Sequence, residues 1–398
     1  MSRAIAFACV LAVMVAGCSS SSSDQPTYPP IGSIVVMGDS VASGEGIAYG
    51  YKYEHRPVLS TWSKGNPDPT WLGPYPDCHQ SGKAYGNLVA TSRDANLTML
   101  ACTGGGYPAG IVTPEVGLLP SEKTATFGPP QFGDWATQTD LNPAYDAADP
   151  DLVLVTLGAD DIGFAKIFVY CIAATLAVTP EAVQELKDLE AVKDKSERAK
   201  GLDRLFADVT GAYDGYKDLD KLQSALDQKR QQFQAEGTPY PCTAGDPSQF
   251  VKTTFTDELP SLARDYTDFV QAIVARGQRD GKVPKVVFTT YYDPMPAPGA
   301  DLTIAKCPDA LGLSAEQFSY LGGLLGQLND LILLEIPRTG AKVADVTKVM
   351  DGHKWCDDDP WAYGMSILLR DKNSLAPFHP TPTGQSQIAD RVQDTIGP

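Results

Sequence analysis

Residues 34–46 read Ile34-Val35-Val36-Met37-Gly38-Asp39-Ser40-Val41-Ala42-Ser43-Gly44-Glu45-Gly46. The first four are apolar, and they are fenced by Pro29, Pro30 and Gly32 on one side and by Gly38 on the other. A short apolar run bounded in this way predicts a buried strand, and the glycine-rich string after it predicts a tight turn into a helix. Four more runs of the same character follow, at Leu97–Cys102, Leu152–Thr156, Val286–Thr290 and Val343–Val346. Strands that are apolar throughout, separated by long connections, imply a parallel sheet covered by helices on both faces. Helical patterns fill several of the connections, at Tyr85–Thr91, Leu262–Arg276 and Ala315–Glu335, and Gln385–Thr395 closes the chain. The expected fold is therefore an α/β unit of three layers, α/β/α.

Two regions interrupt this plan. Residues 49–75 form a long loop with Tyr51, Tyr53, Trp62, Trp71 and Tyr75, suited to line a groove or to pack over the sheet edge. Residues 179–237 carry dense surface charge, with Thr179-Pro180-Glu181 as a helix start and Val183, Leu186, Leu189 and Val192 at helical spacing. They read as a helical insertion, either a lid over a substrate or a packed appendage.

The chain has 398 residues, 43% of them hydrophobic, enough for a large core. Its formal charge of −17 argues against nucleic acid or an anionic membrane surface as an electrostatic partner. At the N-terminus, Arg3 precedes an apolar stretch, Ala4–Val15, too short to span a bilayer comfortably. Val15-Ala16-Gly17-Cys18 resembles a bacterial lipobox, which would make residues 1–17 a lipoprotein signal and Cys18 the lipidated residue. An ordinary signal peptide with an incidental cysteine is the alternative. Residues 18–30, with Ser19–Ser23 at their head, form a flexible polar tether, and residues 31–398 the folded domain. The expected location is the bacterial cell envelope, outside the cytoplasm.

Cysteine usage agrees with export. Beyond Cys9 and Cys18 there are Cys78, Cys102, Cys171, Cys242, Cys307 and Cys356. Six cysteines allow fifteen pairings, and order along the chain suggests Cys78–Cys102, Cys171–Cys242 and Cys307–Cys356. The rival use of cysteine, a metal site, has little support. There is no Cys-x-x-Cys pair, and the four histidines show no ligand spacing, so neither metal nor cofactor is expected.

The chemistry should lie at the carboxyl ends of the strands, where open parallel sheets bind ligands. Ser40 stands there on its turn. Gly38-Asp39-Ser40 with Ala42-Ser43-Gly44-Glu45-Gly46 resembles the first block of SGNH (GDSL) hydrolases. Ala101-Cys102-Thr103-Gly104 resembles the block whose glycine N–H joins the oxyanion hole. Gly158-Ala159-Asp160-Asp161 resembles the block that normally reads Gly-x-Asn-Asp, and Phe378-His379-Pro380 the block that carries the general base. The four blocks come in the family's order, and the six downstream cysteines resemble those of its disulfide-bonded secreted lipase and esterase branch.

The resemblance implies a flavodoxin-like fold and an extracytoplasmic carboxylic ester hydrolase. Ser40 would be the nucleophile, activated by a histidine within hydrogen-bond reach. Of His55, His79, His353 and His379, the family position and the helix that follows select His379. The N–H groups of Ser40 and Gly104, together with Asp160, would form the oxyanion hole. Two departures stand out. Ala376 replaces the aspartate expected three residues before His379, so a backbone carbonyl near Ala376 is expected to orient the imidazole, with Asp357, Asp358 or Asp359 as substitutes. Asp160 replaces the oxyanion-hole asparagine; an ionised carboxylate there repels the oxyanion, and losing one donor costs about 3–4 kcal/mol. Either Asp160 is protonated beside Asp161, or the two amides work alone. The expected partner is an ester substrate (lipid, short-chain acyl or acetylated glycan) met by a monomer that touches membrane only through its anchor. The alternative, motivated by Asp160, is a non-catalytic or impaired carbohydrate- or lipid-binding protein on the same fold.

Overall fold

Ile34, Val35, Val36 and Met37 have no exposed surface at all, and burial on both faces is what a central parallel strand requires. In the computed structural model they lie in β1 (Ser33–Gly38), the second strand of a five-stranded parallel sheet. Its companions are β2 (Asn96–Met99), β3 (Leu152–Thr156), β4 (Lys285–Thr289) and β5 (Lys342–Ala344), in the order β2-β1-β3-β4-β5. That is the flavodoxin-like order, with its switch point between β1 and β3. The structure describes residues 30–47, 78–114, 129–177, 180–192, 197, 201, 204–205, 219–237, 239–245, 249–364 and 377–398. The chain divides into residues 1–30 with Pro398, and a unit Ile31–Gly397 that carries the fold. The signal, Cys18, nearly all of the tether, the aromatic loop 49–75, His55 and Ala376 lie outside the described residues.

Helices cover both faces. Among the described residues the longer ones, with the single turn after β1, are α1 (Ser40–Ser43), α2 (Tyr85–Ser92), α3 (Pro143–Ala148), α4 (Phe164–Leu176), α5 (Pro180–Ala191), α6 (Leu219–Glu236), α7 (Leu259–Asp280), α8 (Ala315–Glu335) and α9 (Pro382–Ile396). Register shows which side each takes, since paired residues share a face. Val36, Leu154 and Val287 are one such row, and Gly86 of α2 lies so close to Val36 that an added Cβ would sit 2.4 Å from its methyl. Met37, Val155 and Phe288 form the opposite row, and Phe288 meets the rings of Tyr266 and Phe269 on α7 edge-on. Helix α9 packs beside α2 and against β4 and β5.

Strand β2 ends three residues short of the expected Cys102. The N–H groups of Leu100 and Ala101 both go to the Val36 carbonyl, so the ladder stops advancing and the chain turns toward the end of β1. Strand β5 likewise closes at Ala344 rather than Val346. Helices α3 and α4 are absent from the sequence-based expectation. The reason for α4 is plain: Phe164–Leu176 is buried almost all round, so it shows no amphipathic stripe.

Where it is described, the insertion packs on the body of the fold. Leu222, Leu226 and Lys229 of α6 are buried at helical spacing. The Lys229 ammonium donates to the carbonyls of Ala174 and Ala177, closing the carboxyl end of α4. Gln223 accepts the Ile304 N–H, and the Cys171–Cys242 disulfide ties the segment after α6 back to α4. The other cysteines also pair in chain order, Cys78 with Cys102 and Cys307 with Cys356. Among the described residues no helix is long and apolar enough to cross a membrane.

Candidate active site

Strand β1 delivers Ser40 by a turn that only glycine permits. At Gly38 (φ 126°) an added Cβ would lie 1.9 Å from the Thr156 carbonyl oxygen of β3. Gln131 grips the same residue, accepting the Gly38 N–H at 2.7 Å and donating to its carbonyl at 2.8 Å. Asp39 then caps the single turn α1: its carboxyl accepts the Val41 N–H at 2.9 Å, while its own N–H reaches the Thr156 carbonyl. Ser40 follows, half-buried, at the carboxyl edge of the sheet.

His379 arrives from the far end of the chain. Its Nε2 lies 2.7 Å from the Ser40 Oγ. The residue before it, Phe378, holds a left-handed backbone (φ 72°), uncommon for a bulky side chain. Packing and hydrogen bonds hold that conformation. The Phe378 ring packs on Phe168 and Trp355, its N–H donates to the Tyr363 carbonyl, and its carbonyl accepts the Tyr292 hydroxyl. Beyond His379, Thr381 caps α9 with Pro382 in its first turn. Gln385 of α9 accepts the Tyr85 N–H and donates to the Val41 carbonyl. One side chain thus links the helix after the imidazole to the turn that holds the hydroxyl.

The loop after β2 adds amides. The Cys102 N–H donates to the Gly38 carbonyl, and Gly104 turns with φ 77°. Among the described residues, no acceptor takes the N–H of Ser40 or of Gly104. At the end of β3, Asp160 is half-buried, and loss of hydration lifts its pKa to about 6 against the opposing pull of Lys166. Asp161 is lifted to about 7, again chiefly by desolvation, and accepts the Tyr107 N–H. Asp39 is pushed well above the usual carboxylate range by burial and by Asp160, opposed by the Tyr291 hydroxyl that donates to it.

The remaining candidates lie elsewhere. His353 stacks on Trp361, ring centres 3.6 Å apart, and its Nδ1 meets the Asp359 carbonyl. The loop acids serve their own loop: Asp357 accepts the Lys354 N–H and Asp359 accepts the Trp361 indole N–H, while Asp358 is exposed. His79 is buried against Glu45. Among the described residues, no three His, Cys, Asp or Glu side chains gather as a metal-ligand set. Sequence reasoning missed the supports, Gln131, Tyr291, Tyr292 and Gln385. Only Tyr291 and Tyr292 carried a signal, their place just past a strand's carboxyl end.

Fold and site together define a flavodoxin-ordered α/β/α protein with a serine–histidine hydrogen bond at the carboxyl ends of its strands. Set against known proteins, the chain matches no family model. It is 30% identical over 92 residues to Lipase 2 of Streptomyces coelicolor, a stretch covering 23% of this chain and 30% of that protein. The match therefore spans less than a third of the relative's length. Among solved structures, an extracellular lipase from Streptomyces rimosus aligns with 92% of this chain and 99% of its own at 18% identity and a TM-score of 0.43. Phospholipase A1 from Streptomyces albidoflavus aligns over the same shares at 16% identity and the same TM-score.

Proposed function

We propose that this protein is an exported serine ester hydrolase in which Ser40 and His379 form a catalytic dyad. The observation that carries the reading is the 2.7 Å hydrogen bond between Ser40 Oγ and His379 Nε2, made by residues 339 apart in sequence. It joins an activated-nucleophile geometry to an accessible strand edge.

The steps follow from acyl-transfer chemistry. His379 Nε2 takes the Ser40 proton as Oγ attacks the ester carbonyl. The oxyanion is received by the Ser40 and Gly104 N–H groups and, when protonated, by the Asp160 carboxyl. The imidazolium then gives its proton to the departing alkoxide, leaving an acyl group on Ser40. Water, deprotonated by His379, releases the acid and restores the serine. Three disulfides support an oxidising compartment, and the lipobox-like string supports anchoring through Cys18.

The test is hydrolysis of p-nitrophenyl esters of graded chain length by the purified full-length protein, beside Ser40→Ala and His379→Ala. Turnover is expected from the wild type, with a drop of at least about 10³-fold in both variants. Wild-type protein inert toward all chain lengths and toward acetylated glycans would sink the reading and leave the binding alternative.

A further inference from the structure

Between the nucleophile turn and the loop of Gly104 runs the segment 78–84, and its contacts are directed to both sides. Toward the turn, the Ser81 N–H donates to the Ser43 carbonyl at 2.8 Å. Toward the loop, the Cys78 carbonyl accepts the Thr103 N–H at 3.2 Å, and Cys78 is bonded to Cys102. Gly44 (φ 85°) lets the segment come close, since an added Cβ would lie 2.9 Å from the Cβ atoms of both Ser81 and Ala84. In the middle of this sandwich lies a buried acid and imidazole: Glu45 Oε2 is 2.7 Å from His79 Nδ1, with the two residues 0% and 5% exposed. Glu45 is bound to the nucleophile turn, its N–H donating to the Ser40 carbonyl. His79 is one residue from the disulfide, which leads after one more residue to Gly104.

Polar groups this deeply buried cost free energy unless they bond each other, so the pair is a stiff joint rather than a surface ornament. Each half belongs to a different piece of the site: Glu45 to the serine, His79 through Cys78–Cys102 to the glycine amide. We propose that the Glu45–His79 hydrogen bond is a positioning device that sets the Gly104 N–H against Ser40, and so governs oxyanion stabilisation rather than substrate binding. The inference rests on the ester hydrolase reading for its catalytic consequence, and on packing alone for its structural one. A donor displaced by about 1 Å can cost about a hundredfold in rate.

The test uses Glu45→Ala, His79→Ala and the double variant in the full-length protein, with Glu45→Gln as the conservative partner. Each alanine variant is expected to lower kcat between about tenfold and a hundredfold with KM within twofold of wild type. The double variant should lose less than the sum of the two single losses, because both include the shared contact, and Glu45→Gln should recover part of the loss. Hydrogen–deuterium exchange should quicken in residues 102–106 and stay unchanged across α7. Three results overturn the proposal: kcat within twofold of wild type, a kcat loss with unchanged exchange in 102–106, or exchange quickened across α7 and the sheet as well. If the wild type hydrolyses no ester, the functional reading fails by itself, and the exchange of 102–106 still decides whether the pair positions the loop.

Discussion

At the scale of single residues, the proposed chemistry turns on Asp160, a carboxyl at the end of β3. With its pKa lifted to about 6, Asp160 is largely protonated near pH 5 and largely ionised at pH 8. In the proposed reaction the neutral acid would donate a hydrogen bond to the oxyanion, and the anion would repel it. Wild-type kcat is therefore expected to fall along an alkaline limb set by Asp160. Asp160→Asn should remove the alkaline limb and raise kcat/KM at pH 8 by at least about tenfold. A pH–rate profile of both proteins checks this, and an unchanged alkaline limb would place Asp160 outside the hole. The candidates were legible as candidates, since Ser40, His379, Gly104 and Asp160 sit in short strings with recognisable chemistry, and the fold brings Ser40 and His379 within 2.7 Å. What holds them was not. Gln131 and Gln385 are ordinary glutamines until folding places them beside Gly38 and Val41.

At the scale of elements, strands were easier to read than boundaries or cappers. Leu152–Thr156 and Ala315–Glu335 appear as expected because a short β-branched run and a capped helix declare themselves locally. Helix α4 did not declare itself, since its burial on nearly every side removes the polar face that periodicity needs. Its closing contact was equally hidden, because the donor is a lysine lying 52 residues beyond Ala177. Burial lowers the Lys229 pKa from 10.5 to about 7. Between those values the unfolded chain binds the proton more tightly than the folded one, so stability gained from this residue rises with pH. Lys229→Met leaves the α4 carbonyls without their donor and is expected to cost about 1–3 kcal/mol. The variant should also lose the rise in stability between pH 7 and 10, which urea titrations at several pH values would measure. Equal pH dependence in the two proteins would count against a buried amine.

For the whole molecule, the disulfides divide the labour between stability and site. Cys171–Cys242 spans 71 residues and joins the insertion to α4, whereas Cys78–Cys102 spans 24 and lies beside the Gly104 loop. Replacing Cys171 and Cys242 by alanine is expected to cost about 4 kcal/mol through the unfolded chain while leaving kcat within twofold. Calorimetry and ester kinetics on the same preparation would show it, and a large kcat loss at full stability would refute this division. Hydrophobic period and turn chemistry act within a few residues, so the amino-acid string by itself specified the five strands and the glycine turn, and it singled out Ser40 and His379 as candidates. The meeting of Ser40 with His379, the Glu45–His79 joint and the side on which the insertion packs were decided only in three dimensions. They depend on which distant surfaces exclude water together, and no local pattern in the chain records that choice.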